Sequence, residues 1–293
     1  MKIERMAPLC VVAAGICWGI IGLFTRQLSA YGLSPLQITF GRALVTAVAM
    51  TGLILGRHPG ILRIAWRDVW MFLGTGLGSI VFFNICYFTA IELTTLSVAA
   101  ILLYTAPSIV MVFSIFLFHE RFTRRKAFCL VLAFAGCVLV SGLGLGHVEA
   151  AGLLAGLGSG FGYALYSVFG HYALAKYEPL TVTAWTFLIA SLGLLPFCHF
   201  GMMASLAVSV PYTALLFALL GLVSTALPFG LYTIGLKQME AGRASILASV
   251  EPLTSTVIGI VVFHEALTLT GAAGIACILG AVILLAQKAQ PSG

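Results

Sequence analysis

The chain has 293 residues, 61% of them hydrophobic and 8% charged, with a net charge of +6. A soluble domain carries roughly 25% charged residues. So much apolar surface cannot be hidden from water in one core, which excludes a water-soluble globular fold and points to an all-α membrane protein.

Ten nearly uncharged stretches are long enough to cross the ~30 Å hydrocarbon layer, which a helix spans in about 20 residues. They run over 7–28, 34–55, 68–91, 97–118, 124–142, 149–172, 179–200, 211–236, 243–263 and 269–287. The first is too long for the core of a secretory signal and lacks a small-x-small exit, so it is expected to be retained. Helix 1 presents Gly15, Trp18, Gly22 and Thr25, and helix 2 carries Arg42 about eight residues in. Helix 3 offers Asn84 and Tyr87. On helix 4, Ser97, Tyr104, Ser108 and Met111 are spaced by seven, four and three, which stacks them on one face beside Pro107. Helices 5 and 10 are poor in polar side chains and carry small residues such as Gly136 and Gly274, as expected of lipid-facing or packing helices. Helix 6 combines a ladder of Gly152, Gly156, Gly158, Gly160 and Gly162 with Ser159, Tyr163 and Tyr166. Small residues of this kind permit close helix approach. Helix 8 adds Tyr232, and helix 9 carries Ser245, Ser249, Glu251, Pro252 and Thr256.

The positive charge could suggest nucleic acid, but its distribution does not. With the amino terminus inside, thirteen of the fifteen basic residues fall in cytoplasmic segments, leaving Arg26 outside and Arg42 within a span. This positive-inside asymmetry predicts that both termini are cytoplasmic and that the connection around His147 is external. The cysteines lie in apolar segments without a C-x-x-C pair and are expected to be buried free thiols.

The sequence also repeats. Shifting residues 76–123 by 145 positions makes fourteen of forty-eight coincide, among them Gly76/Gly221, Tyr87/Tyr232, Pro107/Pro252, Phe118/Phe263, His119/His264 and Glu120/Glu265. The same shift places Gly15 opposite Gly160 and Trp18 opposite Tyr163. Five helices per copy is an odd number, so the second copy enters the membrane inverted. The expected organisation is a first repeat over 1–142 and a second over 149–293, joined at a glycine-rich seam near 143–148 in one transmembrane domain.

A proline inside a membrane helix removes a backbone hydrogen bond, and paired interruptions at matching positions point to a transporter site. Pro107 and Pro252 form such a pair. The polar and aromatic residues beside them, Trp18, Asn84, Tyr87, Tyr104, Ser108, Tyr163, Tyr166, Tyr232, Ser249 and Glu251, are the expected substrate-binding set. They would make helices 1, 3, 4, 6, 8 and 9 the cavity wall. Arg42 and Glu251 are charges deep in spans, each expected to face protein or water because an unpaired charge costs at least ~2.5 kcal/mol there. Glu251 is read either as a protonatable residue that binds a substrate cation or couples transport to a proton, or as the permanent partner of Arg42. No Walker loop, G-x-G-x-x-G or G-x-S-x-G is present, and neither His119-Glu120 nor His264-Glu265 has the second histidine of a zinc helix. No metal, cofactor or catalysis is expected, and both histidines are read as helix terminators.

These residues resemble the EamA-like branch of the drug/metabolite transporter superfamily over almost the full length, from Ala14-Gly15-Ile16-Cys17-Trp18-Gly19 to helix 10. The resemblance implies ten helices as two inverted five-helix repeats. The family ends helices 4 and 9 with proline, an apolar run and Gly-Glu, matched here by Pro107 to His119-Glu120 and Pro252 to His264-Glu265, with histidine replacing glycine. Arg42 matches its helix 2 arginine, and Glu251-Pro252 its Glu-Pro. The implied function is a secondary transporter in the cell membrane, an exporter of an amino acid, amine or related amphiphilic solute. A passive channel and an intramembrane enzyme are the alternatives, and monomer and homodimer both stay open.

Overall fold

The computed structural model describes residues 2–142, 149–264 and 266–286, with backbone alone for residues 2–5. The seam 143–148 with His147, and Glu265, lie outside the described residues. Among the described residues the regular structure is helical throughout. Nine helices among the described residues are long and apolar enough to cross a membrane. They are helix 1 (Met6–Ala30), helix 2 (Pro35–Arg57), helix 3 (Trp66–Leu93), helix 4 (Leu96–Phe118), helix 6 (Ala150–Leu174), helix 7 (Pro179–Phe197), helix 8 (Pro211–Gln238), helix 9 (Ala241–Phe263) and helix 10 (Leu269–Ala286). A further helix, Arg124–Ser141, occupies the fifth expected position and opens with three consecutive basic residues. A short apolar helix, Phe200–Ser209, lies between helices 7 and 8, where the sequence was read as connection.

The helices pair in a pattern that maps onto itself when the halves are exchanged. Helix 1 packs on helix 8 as helix 3 packs on helix 6, and helix 1 packs on helix 9 as helix 6 packs on helix 4. Helices 2 and 7, 4 and 9, and 5 and 10 pair with their own counterparts. Backbone detail repeats as well. Helices 3 and 8 both carry wide π-type turns, at Gly74–Val81 and Leu222–Ala226, whose last residues are 145 positions apart. Helices 4 and 9 both end on a left-handed histidine, His119 at φ 56° and His264 at φ 54°. That conformation favours glycine, and each histidine in it ends its helix.

Glycines set the close contacts. The ladder on helix 6 has two edges: a Cβ at Gly160 would lie 2.8 Å from Leu102 O of helix 4, and one at Gly162 would lie 3.0 Å from Phe83 N of helix 3. Helices 5 and 10 touch backbone to backbone, since a Cβ at Gly136 would stand 2.8 Å from Gly274 O and one at Gly274 2.7 Å from Gly136 O. One end of the bundle gathers charge. There Lys126 pairs with Glu240 at 2.6 Å, Lys237 with Glu178 at 3.0 Å and Lys176 with Asp68 at 2.6 Å. Arg125 and Arg243 donate to the last carbonyls of helix 10, Arg243 Nε reaching Leu285 O at 3.1 Å, the favourable placement of cations at a helix carboxyl end.

Candidate transport site

Helices 4 and 9 are each interrupted just before their proline. Helix 4 divides into Leu96–Leu103 and Ala106–Phe118, and helix 9 into Ala241–Ala248 and Val250–Phe263. At each break the backbone tightens to an i→i+3 bond, Thr105 N–H to Leu102 O and Ser249 N–H to Ile246 O, both 3.1 Å. Proline cannot donate to the carbonyl four residues back, which frees Leu103 O and Ala248 O. Both are covered by a glycine of the neighbouring helix: Leu103 O lies 3.3 Å from where a Cβ on Gly160 would be, and Ala248 O 3.0 Å from one on Gly15. The breaks therefore offer side chains rather than bare carbonyls to the interior.

The side chain that helix 9 offers is Glu251. Its carboxylate accepts a hydrogen bond from Tyr163 Oη at 3.2 Å. Tyr87, Tyr104 and Cys137 lie within electrostatic range of its charge. Arg42, 7% exposed on helix 2, also interacts with that charge, yet the two do not close into an ion pair. Arg42 and Glu251 are therefore opposite charges within electrostatic range of one another, with no direct ion pair between them. Cys137 belongs to helix 5, so helix 5 reaches the surroundings of Glu251 instead of standing wholly at the periphery.

Tyr163 forms the wall between this charged region and an aromatic chamber. The chamber is a partly open cavity of about 30 Å³ lined by Trp18, Ser79, Phe83, Tyr163, Tyr166 and Tyr232 with their neighbours Ser167 and Phe229. It has the size of a single water site. Trp18 stands edge-on to Phe229 at 5.0 Å and to Tyr163 at 6.4 Å, and Tyr166 edge-on to Phe229 at 4.9 Å, geometries aromatic pairs favour. Ser167 and Tyr232 share a hydrogen bond at 2.7 Å. Trp18 Nε1 is buried without an acceptor.

Of the expected residues, the structure thus brings together Trp18, Tyr163, Tyr166 and Tyr232 around the chamber, and Tyr87, Tyr104 and Arg42 around Glu251. Asn84 is committed elsewhere, donating to Ile80 O at 2.7 Å and accepting from Thr39 Oγ1 at 3.3 Å. Ser249 sits in the helix 9 break and is 6% exposed. Ser108 is half-buried one turn past the helix 4 break, with no contact that ties it to either region. Sequence reasoning missed Ser79, Phe83, Ser167, Phe229 and Cys137. Only Ser79 carried a signal, through its repeat partner Ser224.

Comparison with known proteins agrees with this architecture. A solved crystal structure superposes with a TM-score of 0.79 at 21% identity, covering 95% of each chain. An uncharacterized transporter of Archaeoglobus fulgidus is 32% identical, covering 96% of both chains. The aromatic amino acid exporter YddG of Ancylobacter novellus is 28% identical over 96% of this chain and 98% of its own. The threonine/homoserine exporter RhtA of Escherichia coli is 28% identical over 82% of this chain and 76% of its own. The profile of the EamA-like transporter family matches residues 5–142 and again 150–287. This multi-pass membrane protein belongs to the EamA-like transporter family.

Proposed function

We propose that the chain is a secondary transporter, working as an exporter, that moves a small zwitterionic solute of the amino acid class by alternating access. The observation that carries this reading is Glu251, bonded to the chamber residue Tyr163, with the buried Arg42 within electrostatic range but not paired to it. A guanidinium suits a carboxylate, a carboxylate suits an ammonium group, and a zwitterion brings both at once. Aromatic walls suit the rest of such a molecule. The chamber's single-water size in this state means that a side chain can enter only as the helices move. Two relatives export amino acids by their names, aromatic ones in one case and threonine and homoserine in the other, which supports both class and direction.

In this proposal residues 1–142 and 149–293 are inverted repeats of five helices each. Both termini and the charged end of the bundle are cytoplasmic. Glu251 binds the substrate ammonium, which leaves proton coupling through the same carboxylate as a consequence to be measured. The test is counterflow in proteoliposomes loaded with a panel of unlabelled amino acids, amines and nucleosides. Transient accumulation of labelled zwitterions alone is expected. Equilibration without accumulation would indicate a channel, and chemical conversion of the solute an intramembrane enzyme. Uptake of simple amines in preference to zwitterions would remove Arg42 from substrate binding.

A further inference from the structure

The left-handed turn at His119 directs the chain away from helix 4, and Glu120 reaches across to the start of helix 9. Ala241 N–H donates to Glu120 Oε1 at 2.7 Å and Gly242 N–H to Oε2 at 3.4 Å. These are amides that a helix start leaves without partners of its own. The Glu120 side chain is 6% exposed and stands 3.7 Å from Lys126 Nζ, which also pairs with Glu240 at 2.6 Å. Gly242 makes the approach possible, because a Cβ there would lie 2.9 Å from Met111 Sδ and 3.2 Å from Glu120 Oε2. The helix thus capped, Ala241–Ala248, is the short segment whose far end breaks at Ser249 and presents Glu251. It packs against Ala106–Phe118, the half of helix 4 that ends at Glu120.

We propose that Glu120 is the clasp of the gate at the charged end: it holds the first half of helix 9 against the second half of helix 4, and opening the site to that side requires its release. This rests on the alternating-access reading above. Every partner in the clasp can exchange protein for water when the halves part, as an interface with two states requires. Water is already at hand, since a crevice of about 410 Å³ lined by Phe118, Glu120, His171 and Lys237 opens just outside. The ring contact beside it has a counterpart at the other end of the bundle. His171 stacks on Phe118 at 3.9 Å, and 145 residues away from each, Arg26 lies over Phe263 at 4.2 Å. Burial holds the Glu120 carboxyl above the usual carboxylate range, against the opposing pull of the Ala241 amide and Lys126.

The test needs no substrate, so its failure is separate from failure of the transport reading. In a cysteine-free background, Ser245→Cys places a thiol one turn beyond the capped amides at a position 5% exposed. Its reaction with an impermeant maleimide in inside-out vesicles reports opening at this end. Glu120→Ala is expected to raise the labelling rate on the order of tenfold, the shift that losing one charge-assisted bond gives a two-state equilibrium. Glu120→Gln, which keeps one oxygen to accept from Ala241 N–H, should label more slowly than Glu120→Ala. A control thiol at Ala190, fully buried on helix 7, should stay unreactive in both. Gly242→Ala, whose Cβ would stand 3.2 Å from Glu120 Oε2 and so crowds the carboxylate off the capped amides, should also label faster. An unchanged rate in Glu120→Ala with the control silent would overturn the proposal. If Glu120→Ala does not fold, an unchanged rate in Gly242→Ala would do so.

Discussion

The two halves of the molecule agree in backbone and differ in charge. Residues 145 apart share the interrupted helix before proline, the left-handed histidine, the wide turns in helices 3 and 8, and the glycine that covers a freed carbonyl. Where Glu251 stands in the second half, the first has Ala106; where Arg42 stands in the first, the second has Phe187. Trp18 answers Tyr163, and Tyr104 answers Ser249. Helix 1 is interrupted at Ile20, while its counterpart helix 6 runs unbroken from Ala150 to Leu174. In the proposed alternating access, rocking about the two related breaks would need only backbone features, which both copies keep. Recognition needs particular groups, and the charged ones occur once. A solute held by that pair is held in one orientation.

The largest effect should come from removing one of the unduplicated charges. Arg42→Gln is expected to lower counterflow of a zwitterion on the order of a hundredfold, the upper range for a lost hydrogen-bonded charge contact, whereas Phe187→Leu at the mirror position should leave substrate affinity near its starting value. Comparable losses in both would show that the asymmetry is irrelevant to binding. Glu251→Gln sharpens the point. If Arg42 and Glu251 serve the substrate and not each other, the single variant folds and fails to bind, and adding Arg42→Gln restores nothing. Recovery of expression or flux in the double variant would revive the permanent ion pair that the structure does not form.

A smaller effect is expected in the chamber, where Trp18 and Tyr163 are repeat partners with different polar atoms. Trp18 Nε1 has no acceptor, while Tyr163 Oη bonds Glu251. A buried donor without a partner costs roughly 1–3 kcal/mol. Trp18→Phe should therefore keep or raise thermal stability, and it should weaken substrate binding about tenfold if a bound solute supplies the missing acceptor. Tyr163→Phe should weaken binding without that gain in stability. Thermal unfolding and binding isotherms on the two variants check both halves of the statement. A marked stability loss in Trp18→Phe would mean that the indole N–H is satisfied in the resting protein.

Much of this frame was legible in the sequence because hydrophobic length and the 145-residue offset are one-dimensional signals. The helix positions follow from them to within three residues, as with the expected 97–118 against Leu96–Phe118. Pro107 and Pro252 marked the breaks, although what they expose is side chain and not carbonyl. That Tyr104 and Tyr87 turn inward could be expected from helical faces, since period 3.6 places residues on a side. Periodicity does not say which neighbour that side meets. Asn84 was expected in the site for its polarity, but a hydroxyl on helix 2 and a carbonyl of its own helix use its amide. Phe83 and Phe229 went unnoticed for the opposite reason: phenylalanine on a membrane helix carries no signal until the packing shows what it faces. Glu120 was read with the helix terminator beside it, and its reach to Ala241 spans 121 positions of sequence.

The smallest effect on transport should come from helices 5 and 10, where the halves meet away from the site. Gly136 and Gly274 bring the two backbones into contact, each lacking a Cβ that would strike the other's carbonyl. A carbonyl cannot swing aside as a flexible side chain can, so Gly136→Ala and Gly274→Ala should each separate the helices and lower stability by about 1–3 kcal/mol, the usual cost of overpacking. The contact is reciprocal, so the two losses should be similar, and the double variant should cost less than their sum because the first separation makes room for the second methyl. Substrate affinity in the folded fraction should hardly change, unless the displacement of helix 5 carries Cys137 away from Glu251. Thermal unfolding of the three variants tests the seam, and a binding isotherm on the same samples tests its independence. A large fall in affinity for Gly136→Ala but not Gly274→Ala would show that helix 5, alone of the pair, helps to shape the site.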